Sequence, residues 1–393
     1  MPSIEFLPLA VNPSDYPKSR LSMLPSLPRI VFSGHAKRKL PSAFLECQDF
    51  FVYGRYALVE AFKRAGVVRG SAVLLPAYHC RTIVESVLYL GAEARFYPMT
   101  ADLRPDFSAM QDLVADGAVR TLLLTHYFGF ANALAEARQF CEKHEMALIE
   151  DCAHAFYGEH EGQVLGTGGH ISVASAWKFL PLRDGAVLRD NTGMTAAMDL
   201  KRQPMEDEIK AMVSILQDGI KARLNKTALP EVDVERLNRR ALEIAAAIPQ
   251  RAEKEDVQFL PGLVEMAGLA TSHWMVEHAA HDQVMRRRRE NYQHWQAGVQ
   301  GLQGVQPLFP ELPDGVVPYA FPLLTDAGGL VFHALKLAGI PIWRWEDVAK
   351  TECPVSLDYR LRLLQLPCHQ DLSREEIDWM LRVLHGVVPG LLV

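Results

Sequence analysis

Apolar positions along this chain fall into two alternating rhythms. Residues 55–65 repeat at helical spacing and are closed by Gly66. Residues 72–75 (Ala-Val-Leu-Leu) form a short apolar run stopped by Pro76. Residues 81–90 return to the helical rhythm and end at Gly91, and residues 94–97 and 121–125 are again strand-like. Residues 133–144 predict an amphipathic helix that feeds a buried strand over 146–151, and another strand covers 170–176. This alternation predicts an α/β fold, a mostly parallel central sheet with helices on both faces. Ligands of such sheets sit beyond the carboxyl ends of strands. Asp151 ends one strand, and residues 78–80 follow another.

The flanks read differently. Residues 1–40 contain Pro2, Pro8, Pro13, Pro17, Pro25 and Pro28 and predict an extended arm. Residues 198–226 and 236–247 are expected to be helical, and residues 271–302 to form one long helix. The arginine run 286–289 within it is expected to be a solvated face with a few ion pairs. Residues 318–324 predict a strand, 331–338 a helix, 340–343 an extended segment and 374–385 a final helix. The expected division is an arm over 1–40, a large unit over 41–265 and a smaller C-terminal α+β unit over 266–393.

Composition narrows the function. The 393 residues are 49% hydrophobic and 22% charged, enough for a sizeable core. A net charge of −6 gives no basis for broad attraction to nucleic acid or anionic membrane. The six cysteines form no C-x-x-C pair, so neither a zinc site nor a disulfide framework is expected, and a reducing cytoplasm fits. No apolar signal core opens the sequence and no run approaches membrane-spanning length.

The chemistry centres on Asp151 and Lys178. A carboxylate at one strand end and an amine just beyond another suit pyridoxal phosphate: the lysine can form a Schiff base with the aldehyde, and the aspartate can keep the pyridine nitrogen protonated. Four segments carry the candidate site. In Tyr53-Gly54-Arg55-Tyr56-Ala57-Leu58 a glycine turn opens a helix, whose free amides can take a phosphate; a plain loop-to-helix junction is the bland alternative. In Pro76-Ala77-Tyr78-His79-Cys80 a ring could stack on a flat cofactor, or Tyr78 could pack in the core. Glu150-Asp151-Cys152-Ala153-His154-Ala155 offers Asp151 to the ring nitrogen and His154 to the phenolic oxygen, with Glu150 structural. Ser175-Ala-Trp177-Lys178-Phe179 offers a phosphate donor in Ser175 and the amine in Lys178, in an apolar setting unlike that of a surface lysine.

In this order the segments resemble the DegT/DnrJ/EryC1/StrS family of aminotransferases. The family's G-T-x-A-L stands here as Gly54-Arg-Tyr-Ala-Leu58, with Arg55 at the threonine position. Its V-H-x-x-G stands as Thr125-His126-Tyr-Phe-Gly129, its E-D-x-A-[QH]-A as residues 150–155, and its L-P-x-H-x-x-L-S as residues 366–373. The resemblance implies the fold type I architecture of pyridoxal phosphate enzymes. It implies catalysis by Lys178 and Asp151, with cofactor contacts from Gly54, Arg55, Tyr56, His79, His154 and Ser175. It also implies an amino acid donor such as glutamate, a keto acceptor that in the family is a nucleotide-linked sugar, and a homodimer with active sites at the interface. The family's cross-subunit Asn-Tyr-Arg segment would fall near Thr271 or Ser272. Elimination or decarboxylation on the same cofactor, and a non-catalytic sensor or scaffold on the same fold, stay open at this point.

Overall fold

The computed structural model describes residues 4–8, 13–27, 40–47, 49–194, 196–224, 229–247 and 259–392. The predicted alternation is present. Strand β1 (Asp49–Phe51) leads into helix α1 (Gly54–Arg64), then β2 (Ala72–Pro76), α2 (Arg81–Tyr89), β3 (Glu93–Tyr97) and β4 (Val119–Thr125). Helix α3 (Leu134–Lys143) and β5 (Ala147–Cys152) follow, then a small hairpin of β6 (Glu159–His160) and β7 (Gln163–Val164), then β8 (Ile171–Ser175) and β9 (Ala186–Asp190).

Seven of these strands form one sheet in the order β1-β9-β8-β5-β4-β2-β3. The run β8-β5-β4-β2-β3 is parallel, while β9 lies antiparallel to both β8 and β1. Such strands are covered on both faces and so read as unbroken apolar runs. Successive side chains alternate faces. Val73 and Leu75 join a core with Val59 of α1 and Val84 of α2, whereas Ala72 and Leu74 join the opposite core with Ala137 and Phe140 of α3. Strand order reverses at β2, with β3 on one side and β4 on the other. A crevice at the carboxyl end of such a reversal is where α/β sheets place ligands.

Helices α4 (Met205–Leu224), α5 (Val234–Ala247), α6 (Ala270–His278) and α7 (His281–Val299) come next. An antiparallel sheet of β10 (Val305–Pro307), β11 (Ala320–Thr325) and β12 (Leu363–Pro367) completes the fold, with α8 (Leu330–Leu337), α9 (Pro354–Arg362) and α10 (Arg374–Val387). Ser373 caps α10 through a reciprocal capping box with Glu376. Helix α5 packs on α8 and α10, beside this second sheet.

Two expectations need correction. The helix expected from residue 198 starts only at Met205, and residues 225 and 226 lie outside the described residues. Pro204 disfavours a helical residue before it, and Lys201 instead pairs its backbone with Glu265 and Ala267. The long helix expected over 271–302 breaks into α6 and α7, because Ala279 takes an extended conformation (φ −65°, ψ 149°) with no glycine or proline to announce it. The segment expected to be extended over 340–343 ends in Trp343, which makes a single antiparallel bridge to Gln365. The arm expected over 1–40 lies partly outside the described residues. Within them Phe6 bridges Ala349 and Arg20 N–H donates to Gly339 O, so this stretch is fastened to the body.

Candidate active site

A cavity of about 330 Å³ opens at the carboxyl ends of β2, β4, β5 and β8. Asp151, His154, Ser175, Lys178, Gly54 and Arg55 all line it. Segments separated by more than 120 residues thus converge because parallel strands end on the same edge of the sheet.

Asp151 stands near the end of β5. Its Oδ2 accepts from Thr125 Oγ1 (3.3 Å) and its Oδ1 from Ala153 N–H (2.9 Å). Burial pushes its carboxyl above the ordinary range, against the opposing pull of the Ala153 amide, the Lys178 amine and the Thr125 hydroxyl. The adjacent Glu150 points to the other face, as strand alternation requires. Its Oε1 accepts from the amides of Gly168 and Gly169 (2.6 Å each), and its Oε2 from Gly166 N–H (3.1 Å) and His126 Nε2 (2.8 Å). His126 Nδ1 accepts from Asn132 N–H, which leaves Nε2 to carry the proton given to Glu150. His126, Glu150 and Cys152 bring donor atoms within 4.8 Å of one another, but both oxygens of Glu150 are already taken. Glu150 is structural.

Lys178 closes a short turn (Ala176–Lys178) directly after β8. Its Nζ lies 5.5 Å from the ring centroid of Tyr319 and 5.9 Å from that of Trp177. Burial lowers the proton affinity of the amine, and the neighbouring Asp151 carboxylate opposes that lowering. His154 is sandwiched between Tyr319 (centroids 4.3 Å apart, 21° between planes) and Phe128 (5.6 Å, 28°). Burial, and then the nearby Lys178, keep its imidazole neutral well below the usual range. Its Nδ1 is buried without a hydrogen-bond partner among the described residues.

At the other end of the cavity stands the N-terminus of α1. The capping residue Tyr53 supplies no side-chain acceptor to the first-turn amides. A Cβ on Gly54 would fall 3.0 Å from Ser175 Oγ, so the absence of a side chain lets the helix start and the serine share one corner. Arg55 adds a guanidinium there, within 3.9 Å of Glu85. Amides, a hydroxyl and a positive dipole end in one place suit an anion such as a phosphate.

The remaining wall comes from the second sheet. Tyr319, Trp343, Trp345 and Gln365 face the cavity, and Gln365 Nε2 is buried without a hydrogen-bond partner among the described residues. Sequence reasoning missed all four. The alternation Trp343-Arg344-Trp345 in an extended segment was the available signal, since it puts both indoles on one side.

Two expected residues are not part of the lining. Tyr56 is packed in the core against Phe259, with its hydroxyl accepting from Leu260 N–H. His79 is fully buried, stacked on Phe96 (5.1 Å, 21°), with Nε2 accepting from Ala349 N–H. The neighbouring Cys80, not His79, lines the cavity. Thr271 is also committed within the chain, its hydroxyl donating to Glu208.

The arginine run behaves unlike a uniform solvated face. Arg286 is exposed beside Glu290, but Arg288 is completely buried. Its Nε donates to Gln370 Oε1, its Nη1 to the carbonyls of Pro318 and Tyr319, and its Nη2 to those of Lys178 and Phe179.

Residues 53–240 match the model of the DegT/DnrJ/EryC1/StrS aminotransferase family. The chain is 24% identical over 355 residues to a UDP-N-acetyl-3-dehydro-alpha-D-glucosamine 3-aminotransferase from Acidithiobacillus ferrooxidans, covering 86% of this chain and 83% of that protein. It is 26% identical over 136 residues to an L-glutamine:2-deoxy-scyllo-inosose aminotransferase from Streptomyces kanamyceticus, but spans only 31% of that protein's length. In fold it is similar to a crystal structure of a DegT/DnrJ/EryC1/StrS aminotransferase from Brucella abortus (TM-score 0.59, 18% identity, 88% of this chain and 87% of that one).

Proposed function

Residues 53–240 belong to the DegT/DnrJ/EryC1/StrS aminotransferase family, and on that premise we propose that the cavity holds pyridoxal phosphate and transfers an amino group from an amino acid donor to a keto sugar or a related cyclic ketone. The observation that carries this reading is the convergence of Asp151 and Lys178, buried and electrostatically coupled, on one cavity with an anion corner.

The residues present fit the cofactor. A glycine where a side chain would crowd Ser175 Oγ, helix amides without a side-chain cap, and an orphaned His154 Nδ1 are features that a bound phosphate and a phenolic oxygen would complete. Gly54, Arg55 and Ser175 would hold the phosphate, His154 the phenolic oxygen and Asp151 the protonated ring nitrogen. When bound, the cofactor supplies an aldehyde for amine exchange and a ring that withdraws electrons from the reacting carbon.

The chain's own groups do the rest. Lys178 Nζ, with its proton affinity lowered by burial, is suited to take a proton from the donor carbon and return it to another. Asp151, its carboxyl desolvated, gains its charge when a cation faces it. Tyr319, Trp343 and Trp345 exclude water and offer flat apolar faces, while Gln365 offers a spare donor to an acceptor oxygen. One relative's name includes L-glutamine, so glutamate and glutamine are both donors to test.

We extend the reading to a homodimer. The outward face of α4 exposes Ile209, Met212, Leu216 and Ile220, an apolar stripe that a second copy would cover. We likewise propose the division into an arm over 1–40, a cofactor unit over 41–265 and a C-terminal unit over 266–393; α5, in the second, packs on α8 and α10 of the third. Six free cysteines suit a reducing cytoplasm. Among the described residues no helix is long and apolar enough to cross a membrane.

The test is a visible spectrum of protein mixed with pyridoxal phosphate, for the wild type and Lys178→Ala. The expected result is an absorbance band that borohydride fixes to Lys178 and that glutamate or glutamine bleaches. A wild type that never colours overturns the reading. Colour without donor bleaching would leave cofactor binding but remove amino transfer.

A further inference from the structure

Arg288 uses all five of its N–H donors, and every partner among the described residues is a neutral oxygen. A buried guanidinium whose hydrogen bonds all go to neutral oxygens, with the Asp371 carboxylate acting on it only through charge, is an expensive way to fill a core. The location of its partners gives it a use. Two are the carbonyls of Lys178 and Phe179, at the turn after β8, and two are the carbonyls of Pro318 and Tyr319, at the entrance to β11. These two segments bring the amine and the aromatic ring that faces it into the cavity. Gln370 doubles the link, since its Oε1 takes the Arg288 Nε–H and its Nε2 donates to Phe179 O. The guanidinium also lies over the Phe179 ring, 4.6 Å from the centroid.

We propose that Arg288 is a positioning residue for Lys178: its planar fork ties the backbone of the lysine turn to the backbone of Tyr319, and so fixes where the amine points across the cavity. The inference rests on the reading of Lys178 as the reactive amine. Arg288 itself touches neither the cavity nor a reacting atom. A lysine ammonium cannot reproduce the fork, having three donors on one atom instead of five in a plane. A neutral side chain removes one donor from each of four carbonyls, of which Phe179 O keeps Gln370 Nε2 and Pro318 O keeps the weak Cys368 thiol.

The experiment compares Arg288→Lys, Arg288→Met and Gln370→Leu, with Arg286→Met as the exposed control on the same helix. Each protein is checked for native circular dichroism and cooperative unfolding. Two readouts then follow. The first is the pH midpoint of the visible band formed with pyridoxal phosphate, together with kcat and KM for glutamate bleaching. The second needs no cofactor: the rate against pH at which a small acylating reagent labels Lys178, located by mass spectrometry, with Lys201 as internal reference.

The expected result is a midpoint displaced by about half a pH unit or more and a kcat lowered about tenfold or more with little change in KM. Arg288→Lys should recover part of the loss, and Arg286→Met should match the wild type. A folded Arg288→Met with the wild-type midpoint, kcat and labelling profile overturns the proposal. If Arg288→Met does not fold, Gln370→Leu decides on the same criteria, since it removes only the side-chain half of the link. If the wild type forms no band at all, the reading of Lys178 as the cofactor's anchor fails. The labelling arm then still judges Arg288: equal profiles in all variants overturn its positioning role.

Discussion

Gly54 and Ser175 meet at one corner of the cavity, where a Cβ on the glycine would come within 3.0 Å of the serine hydroxyl. The two lie at opposite ends of different elements, the first residue of α1 and the last of β8. Alanine is the better helix former by about 1 kcal/mol in a helix interior. Gly54→Ala is therefore expected to leave thermal stability unchanged or slightly raised. Its Ser175 hydroxyl must move, so affinity for pyridoxal phosphate should fall by roughly tenfold, about one lost charge-assisted hydrogen bond. An absorbance titration beside a melting curve separates the two effects. Unchanged affinity would remove Gly54 and Ser175 from the phosphate site.

Asp151→Asn keeps the shape and removes the charge. Its loss should lower amino transfer by about 10²-fold or more, in line with the removal of a group that holds a proton in the reaction. The same substitution should shift Lys178 downward, because the carboxylate opposes the effect of burial on the amine. Lysine labelling against pH in the cofactor-free protein checks that direction. An upward shift would contradict the coupling.

His79 should make itself felt in stability rather than turnover. Burial lowers its pKa to about 4, against an ordinary value near 6.5. Between those two values the unfolded chain takes up a proton that the folded chain refuses. Stability contributed by the neutral ring is thus complete above about pH 6.5 and declines as pH falls toward about 4, by up to about 3 kcal/mol. Urea unfolding of the wild type and His79→Gln at pH 7.5 and 5 measures it: the variant should show the flatter dependence, whatever its absolute stability.

Gln365→Met should trade binding for stability. The wild-type amide leaves Nε2 buried and unpaired, which costs about 1 kcal/mol or more. Methionine removes that penalty at similar volume, so the melting temperature should rise. Donor bleaching should be unaffected, while KM for the keto acceptor should increase several-fold. A lower melting temperature would show that the amide is satisfied in the native protein.

Much of this site was legible from the chain. Asp151, Lys178, His154 and Ser175 stand at strand ends, and strand ends announce themselves through apolar runs with abrupt stops. The errors have specific causes. His79 and Cys80 are neighbours on a segment where one side chain enters the core and the next the cavity, and no local pattern says which. Arg288 sits between half-buried arginines. Its burial depends on Pro318, Tyr319 and Gln370, which are 30 to 82 positions away. Trp343, Trp345 and Gln365 reach the cavity only because the second sheet folds back over the first. The alternation at 343–345 puts both indoles on one side, but which side meets the cavity is decided by residues far along the chain.

The pairing of β5 has a last implication. Glu150 and Asp151 are chemically almost alike, adjacent, and assigned to opposite sides by alternation alone. Thr125 opposite Asp151 on β4, and Val173 opposite it on β8, set the alignment. A strand displaced by a single position would deliver the wrong acid to the crevice and push the right one among glycine amides. Fidelity of assembly at these few ladder rungs therefore decides whether a molecule of otherwise correct topology has any chemistry to perform.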